Sequence, residues 1–285
     1  MSGPKFVLFD LGKSSKPLSK LVDAVSQGLG TLYEPTKIRR KAKALADASL
    51  IKAEGDIKKK ELLRRAANRL AFQEISRQEN IEHIIEIAAE NLPDTVSEEP
   101  VDRDWISRFF DECKDVSHED LQKLWARILA NEVAIPKSCS RKTLSILKDI
   151  SSNDAHIFNI FCSLLWLHDD DYFFPYKYDL DGNESQLVKY GLSQNKCLHL
   201  DNLGLIHCKN LFTPINSGDI LNYYNRNHVC YTQSSNIEAE IYSYPLTLPG
   251  IELLSAINPE FNWEFYVHSS MLFSDDYGVF LACLI

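Results

Sequence analysis

The sequence predicts an α+β protein: a long-helix, α-rich N-terminal half followed by a winged-helix-like α+β C-terminal module. Three observations predict it. From Lys37 to about Asn91 the chain is rich in Ala, Leu, Lys, Arg and Glu, the strong helix formers. Short helical patterns with capping signals follow to about residue 167. Beyond about residue 168 helical periodicity fades, Tyr, Phe, Ile and Val rise, and Pro, Gly, Asn and Asp punctuate them. The expected organisation is a helical region over 1–92, a helical middle region over 93–150 after an acidic, Pro-containing linker, and a winged-helix-like domain over 151–285.

Each element has a local reason. Residues 5–9, KFVLF, read as a short strand. Ser15-Lys16-Pro17 starts a helix, because proline is tolerated in the first turn. Leu18, Leu21, Val22, Val25, Leu29 and Leu32 then give one apolar face, weakened near its end by Gly28 and Gly30. Such an amphipathic segment either lies on a membrane surface or packs on the long helix, and packing is the expected outcome. The long helix itself would span about 80 Å at ~1.5 Å per residue, with Gly55 as its weak point. Its apolar stripe is thin and alanine-rich, so it needs a partner from its own chain or another subunit.

PDTVSEEPVDR (93–103) reads as the linker. Trp105, Ile106, Phe109, Phe110 and Cys113 make a bulky helical face. Ser117 with Asp120 reads as a capping-box-like helix start, flanked by Val116 and Leu121 as a hydrophobic staple. Leu121, Leu124, Trp125, Ile128, Leu129 and Val133 form the buried face of that helix, which Pro136 ends. Ser140 caps the next helix, and Ser151 with Asp154 caps the one after. Further on, the order reads as helix (153–167), an irregular stretch, helix (about 193–203), and strands near 205–212 and 227–244. LTLPGIELLSAI (246–257) turns from a strand into a last helix, and strands near 261–268 and 278–284 finish the chain.

Composition and charge narrow the function classes. Apolar content is 45 % and charged content 25 %, as in a soluble globular protein, and no apolar run approaches the length of a membrane span. The short apolar core near the N-terminus has no small-residue cleavage site after it, which argues against a signal peptide. Seven scattered cysteines without a CxxC fit reduced thiols in a cytoplasm. The net charge of −9 is asymmetric: residues 37–80 carry +7, residues 1–36 carry +1, and residues 81–285 carry −17. A basic arm and an acidic body attract polyanions, or let one subunit's arm meet another's body.

Three stretches carry a family resemblance: GLGTLYEPTKIRRKAKALA (28–46), RRAANRLAFQEISRQENIEHIIEIA (64–88) and, most specifically, SHEDLQKLWARILANEVAIPKSCSRKTLSILKDIS (117–151). Through them the chain resembles an uncharacterised bacterial family, domain of unknown function 2806. The resemblance implies a bacterial, cytoplasmic setting and a helical front end. It carries over no functional residues, and suggests a role in phage defence or stress response only by analogy.

The chemical motifs are weak. In the cluster 138–142, the residue three after Ser138 is Arg141 and the residue three before Lys142 is Cys139, so S-x-x-K spacing fails. Cys197, His199, His207 and Cys208 have ligand chemistry but poor zinc spacing. Asp169-Asp170-Asp171 lacks the spaced oxygens of a calcium loop and reads as a solvated loop. Phosphate-cradle, dinucleotide, zincin and nucleophile-elbow motifs are missing from the sequence. No catalytic residue, cofactor or metal ligand is therefore nominated.

The candidate polyanion or partner contacts are Arg39, Arg40, Lys41, Lys58, Lys59, Lys60, Arg64, Arg65 and Arg69. A solvated face supported by the i,i+4 pairs Glu54–Lys58 and Glu61–Arg65 is the favoured reading of them. The presumed recognition helix, SQNKCLHLDNLG, sits in an acidic body, so a protein-contacting winged helix is expected over a DNA-contacting one. The expected function is a non-enzymatic interaction or oligomerisation protein. Nucleic-acid binding through the basic arm is the alternative.

Overall fold

In a computed structural model, the structure describes residues 15–29, 57–177, 184–209, 211–233 and 238–284. The expected strand at 5–9, the weak point at Gly55 and the basic residues Arg39, Arg40 and Lys41 lie outside them. The chain divides into two compact units, Met1–Lys148 and Asp149–Ile285. Among the described residues the protein mixes helix with a seven-stranded antiparallel sheet, an α+β architecture.

The first unit is helical: α1 (Lys16–Leu29), α2 (Ile57–Glu90), α3 (Arg103–Cys113), α4 (Glu119–Ala134) and α5 (Arg141–Asp149). The apolar face of α1 (Leu18, Leu21, Ala24 and Val25) is buried. It packs principally on α3 and also on α4, rather than on the long helix as expected. Gly28 has a packing role here: a Cβ would meet Phe110 Cδ2 at 2.7 Å and Ile106 Cγ1 at 2.9 Å. Only a residue without a side chain lets the end of α1 approach α3 this closely. In the core, Phe109 stacks on Trp105 and meets Trp125 edge-on at 5.2 Å. Trp125 is fully buried, and its indole N–H has no hydrogen-bond acceptor among the described residues.

The acidic stretch expected as a linker lies within this unit. Val101 is buried, the Ser97 amide donates to the Ala134 carbonyl at 2.8 Å, and Asp102 caps α3 by accepting the Trp105 amide. Helix α4 starts two residues after Ser117. His118 occupies the N-cap without a side-chain bond, so the expected capping box does not form there. Ser140 does cap α5, accepting the Thr143 amide at 3.3 Å.

The second unit contains α6 (Ser152–Cys162), β1 (Trp166–His168), β2 (Asp171–Pro175), α7 (Glu184–Lys189), α8 (Gln194–Asn202), β3 (Leu211–Ile215), β4 (Ile220–Tyr223), β5 (Arg226–Thr232), β6 (Ala239–Pro245), α9 (Leu248–Leu254), α10 (Trp263–Tyr277) and β7 (Val279–Cys283). The sheet order is β3-β6-β2-β1-β4-β5-β7. The stretch read as irregular after residue 168 starts as a hairpin. Asp169 and Asp170 form its two-residue turn at φ +45° and +71°, and His168 pairs with Asp171. Two positive φ values in a two-residue loop match the twist of the flanking strands.

The expected strand at 261–268 is instead the start of α10. Asn262 caps it by accepting the Phe265 amide at 2.9 Å, and Gly278 closes it in the left-handed region. Its buried residues, Phe265, Ser269, Leu272 and Phe273, follow helical spacing. The aromatic and β-branched run FNWEFYV imitated a strand by composition. Those aromatics pack on the sheet: Trp166 meets Phe273 at 5.2 Å and Tyr266 at 5.9 Å, and Phe174 stacks on Phe265 at 5.6 Å.

The Leu246–Leu253 motif has a clear physical meaning. The Thr247 hydroxyl accepts the Gly250 amide and donates to the Gly204 carbonyl at 2.6 Å, while the Thr247 amide bonds the Leu205 carbonyl. A Cβ on Gly250 would collide with that same Leu205 carbonyl. The turn after α8 is thus clamped onto the start of α9.

Candidate functional site

The N-terminal half of α2 exposes several large apolar side chains. In the C-terminal half, Ile81, Ile84, Ile85 and Ala88 are buried, and α4 is the helix packed most extensively on α2. Stepping back along the helix by threes and fours, the same stripe continues through Leu70, Ala67 and Leu63. There Leu63 is 42 % exposed and Leu70 57 %, while Ala67 between them is buried; Leu62, Phe72 and Ile75 are also open to solvent. Gln78 marks the transition, its buried amide donating to Glu82 at 2.9 Å. Arg77 fixes the helix by bonding both Asp115 oxygens, at 2.7 and 3.1 Å, and Glu74 at 3.0 Å.

Of the basic candidates, Lys60, Arg64, Arg65 and Arg69 are exposed on this half, while Lys58 and Lys59 lie in its first turn. The i,i+4 spacing places Lys60 beside Arg64 and Arg65 beside Arg69, off the Leu63–Ala67–Leu70 stripe. No ion pair joins Glu61 and Arg65, so the expected helix-surface pair does not form among the described residues. Lys16 pairs with Glu98 and Lys20 donates to the Ser97 carbonyl at 2.9 Å beside a cleft of about 250 Å³ between α1 and residues 96–101. Burial lowers the Lys20 pKa.

The cluster 138–142 is a joint organised by a carboxylate that the sequence reading did not single out. Glu132, 1 % exposed, accepts the amides of Lys137 at 2.7 Å and Cys139 at 3.0 Å, and the Ser138 hydroxyl at 3.2 Å. Lys137 takes φ +73°, and Trp105 donates its indole N–H to the Cys139 carbonyl at 2.7 Å. Burial pushes the Glu132 pKa up, against the amide bonds that pull it down. A glutamate that binds a loop five to seven residues on, past the helix end, matches no standard capping spacing.

The histidine and cysteine candidates are drawn to other partners. Cys197 is buried, and burial raises its pKa to about 12. His199 bonds Asp154 at 2.8 Å. Asp154 also accepts the Ser151 amide and hydroxyl, as the capping signal predicted. Burial pushes the Asp154 carboxyl up, but the bonds from Ser151 and His199 hold it below the ordinary aspartate value. Serine and histidine here share one carboxylate instead of contacting each other, so the trio is not a nucleophile relay. No group of three or more His, Cys, Asp or Glu among the described residues is arranged to hold a metal. In the acidic run, Asp169 lies 3.6 Å from His168 Nε2, which bonds Asp219 at 3.2 Å.

One constellation had no sequence signal. The Arg226 guanidinium lies 5.0 Å from the Phe261 ring, 5.7 Å from Tyr266 and 5.8 Å from Trp263. Its strand partner Tyr223 and nearby His228 continue the cluster onto Trp166, with burial and then Arg226 lowering the His228 pKa. Its members are separated by tens of residues, so only the hairpin and α10 bring them together.

A family model described as a protein of unknown function, DUF2806, matches residues 64–269. The chain belongs to the DUF2806 family. The DUF2806 match begins at Arg64, so it contains Arg64, Arg65, Arg69 and the exposed apolar stripe of α2, together with the Glu132 joint and the Arg226 cluster. Strand β7 lies beyond it. No curated protein and no solved structure matches the chain. Among the described residues, no helix is long and apolar enough to cross a membrane.

Proposed function

We propose that this DUF2806 protein is a non-enzymatic interaction protein in a bacterial cytoplasm, which self-associates through the N-terminal half of α2. One observation carries the reading: the stripe covered through Ile81–Ala88 runs on exposed through Leu63 and Leu70. A solvent-facing leucine row in register with a buried one is a surface suited to a second helix. The antiparallel approach of two copies would bring Leu63 and Leu70 of each against those of the other. Light scattering across a wide concentration range is the test. Association that weakens in Leu63→Asp and Leu70→Asp supports the reading, and a strict monomer rejects it.

The C-terminal unit serves this reading as a winged-helix-like docking module. The clamp of Thr247 and Gly250 on the turn after α8 is the feature that supports it. A second function, nucleic-acid binding, is favoured by the exposure of Lys60, Arg64, Arg65 and Arg69 on one half-helix. It predicts binding that falls steeply with salt and weakens on charge reversal at Arg64, Arg65 and Arg69.

A further inference from the structure

Two helices of this chain expose apolar rows flanked by opposite charges. The first row is on α2, on a different side from Leu63 and Leu70. Leu62, Arg65, Arg69 and Phe72 recur at steps of three and four, so they share one face. At about 100° per residue that face lies roughly a third of a turn round from Leu63 and Leu70. Phe72 is 71 % exposed and Leu62 59 %. Arg65 and Arg69 are exposed between them and have no carboxylate partner among the described residues. From Ile57 to Phe72 the sequence holds six Lys or Arg and one Glu, a net of +5.

The second row is on α10. Trp263, Val267 and Met271 recur every four residues on its outer side. Trp263 is 59 % exposed and Met271 58 %, with Val267 also open, while Phe265, Leu272 and Phe273 on the inner side are buried. Glu264 and Asp275 flank the outer row, and α10 carries three carboxylates and no lysine or arginine. Glu264 pairs with Lys189 at 3.0 Å. Asp275 accepts the Ser274 hydroxyl and has no cation partner among the described residues.

A cover for the α10 row needs large apolar side chains at helical spacing with cations beside them. The Leu62–Phe72 face has both, and it lacks the carboxylates that α10 offers. Two copies of the Leu62–Phe72 face would instead oppose arginine to arginine. The direction follows from the cation at one end of α10. Arg226 lies 5.8 Å from the Trp263 ring, so the uncharged end of the α2 row, Phe72, belongs there. The helices then run antiparallel, with Arg69 toward Glu264 and Arg65 toward Asp275. Leu62 reaches Met271, since the two rows span about 15 and 12 Å. Antiparallel helices also bring opposite dipole ends together.

We propose that the Leu62–Phe72 face of α2 in one copy of this chain seats on the Trp263–Met271 row of α10 in a second copy, with Arg65 and Arg69 against Glu264 and Asp275. The contact uses a different face from the Leu63–Leu70 row and does not need that row to be covered. It is short and charged, so association is concentration-dependent and weakens with salt.

Charge exchange in the full chain is the test. Arg65→Glu with Arg69→Glu, or Glu264→Lys with Asp275→Lys, should each weaken association by roughly tenfold or more in sedimentation velocity. All four changes in one chain should restore association to within roughly threefold of the starting chain. A four-site chain no better than the two-site chains, with native circular dichroism, overturns the proposal. That is also the result expected if α2 meets nucleic acid or another protein instead. The same set is measured in a Leu63→Asp, Leu70→Asp chain. Rescue there supports this contact whether or not the leucine reading stands, and rescue confined to chains with both leucines overturns it as a separate contact.

A second measurement applies if the exchanged chains do not fold. A photoreactive benzophenone side chain at position 271 is placed in heavy-nitrogen-labelled chains, which are mixed with unlabelled ones. Adducts joining position 271 of a labelled chain to the Leu62–Phe72 segment of an unlabelled chain are expected. Adducts confined to single chains, or mapping to another segment, overturn the assignment.

Discussion

The two halves of α2 carry apolar residues along one line of the helix and differ in what covers them. Toward the C-terminus, Ile81, Ile84, Ile85 and Ala88 are closed off, while toward the N-terminus Leu63 and Leu70 are open. Helical periodicity is the same in both. The difference teaches that an amphipathic pattern announces a need for a cover and does not name the cover. Here α4 supplies it for one half, and the other half becomes the candidate interaction surface.

Substitutions can break or sharpen this comparison. The largest effect is expected from Ile84→Asp, which buries a carboxylate without a partner. It should cost about 4 kcal/mol or more in denaturant-measured stability, whereas a loss under 1 kcal/mol would mean that this half is not closed. Next comes Glu132→Ala, which releases the joint that ends the covering helix α4. It leaves the amides of Lys137 and Cys139 without their acceptor, and should cost about 2–4 kcal/mol.

Glu132 also predicts a pH dependence. Its folded pKa is raised by burial, so the folded state holds more protons than the unfolded state between the two values. Its contribution to stability is fully present below the ordinary glutamate value and is lost as pH rises through the raised one. Replacing Glu132 with alanine should remove that slope from the stability profile, and an unchanged profile would assign the slope elsewhere.

Smaller effects belong to the open half. Leu70→Asp should change intrinsic stability by no more than about 0.5 kcal/mol while reducing association. A large stability loss would show that the row is covered within the chain. Glu61→Gln should be the least consequential, since Glu61 and Arg65 make no ion pair. A measurable loss in thermal unfolding would restore the i,i+4 pair.

Local signals made much of this fold readable. The Ser151–Asp154 capping box, the Ser140 cap, the stop before Pro136 and the bulky face of α3 all follow from spacing within a few residues. Errors came where composition opposed geometry or where partners were distant. FNWEFYV has strand-like residues, but Asn262 and Gly278 bound a helix. Gly28 read as a weak helix residue because its reason, the Phe110 ring, lies far away in sequence. The candidate surface was half legible: the exposed positions Lys60, Arg64, Arg65 and Arg69 were named, while the open leucine row required knowing where α4 stops covering α2. Glu132 and Arg226 gave no local sign, because their partners come from a loop beyond a helix end and from residues 261–266, beyond β6 and α9.

The distribution of indoles has a practical consequence. Trp105 and Trp125 are buried in the first unit; in the second, Trp166 is buried and Trp263 is exposed. Each unit therefore carries its own optical reporter. Chains retaining tryptophan only at 125 or only at 166 would let fluorescence follow the melting of each unit separately, and coincident or divided transitions would reveal whether the two units unfold as one thermodynamic system.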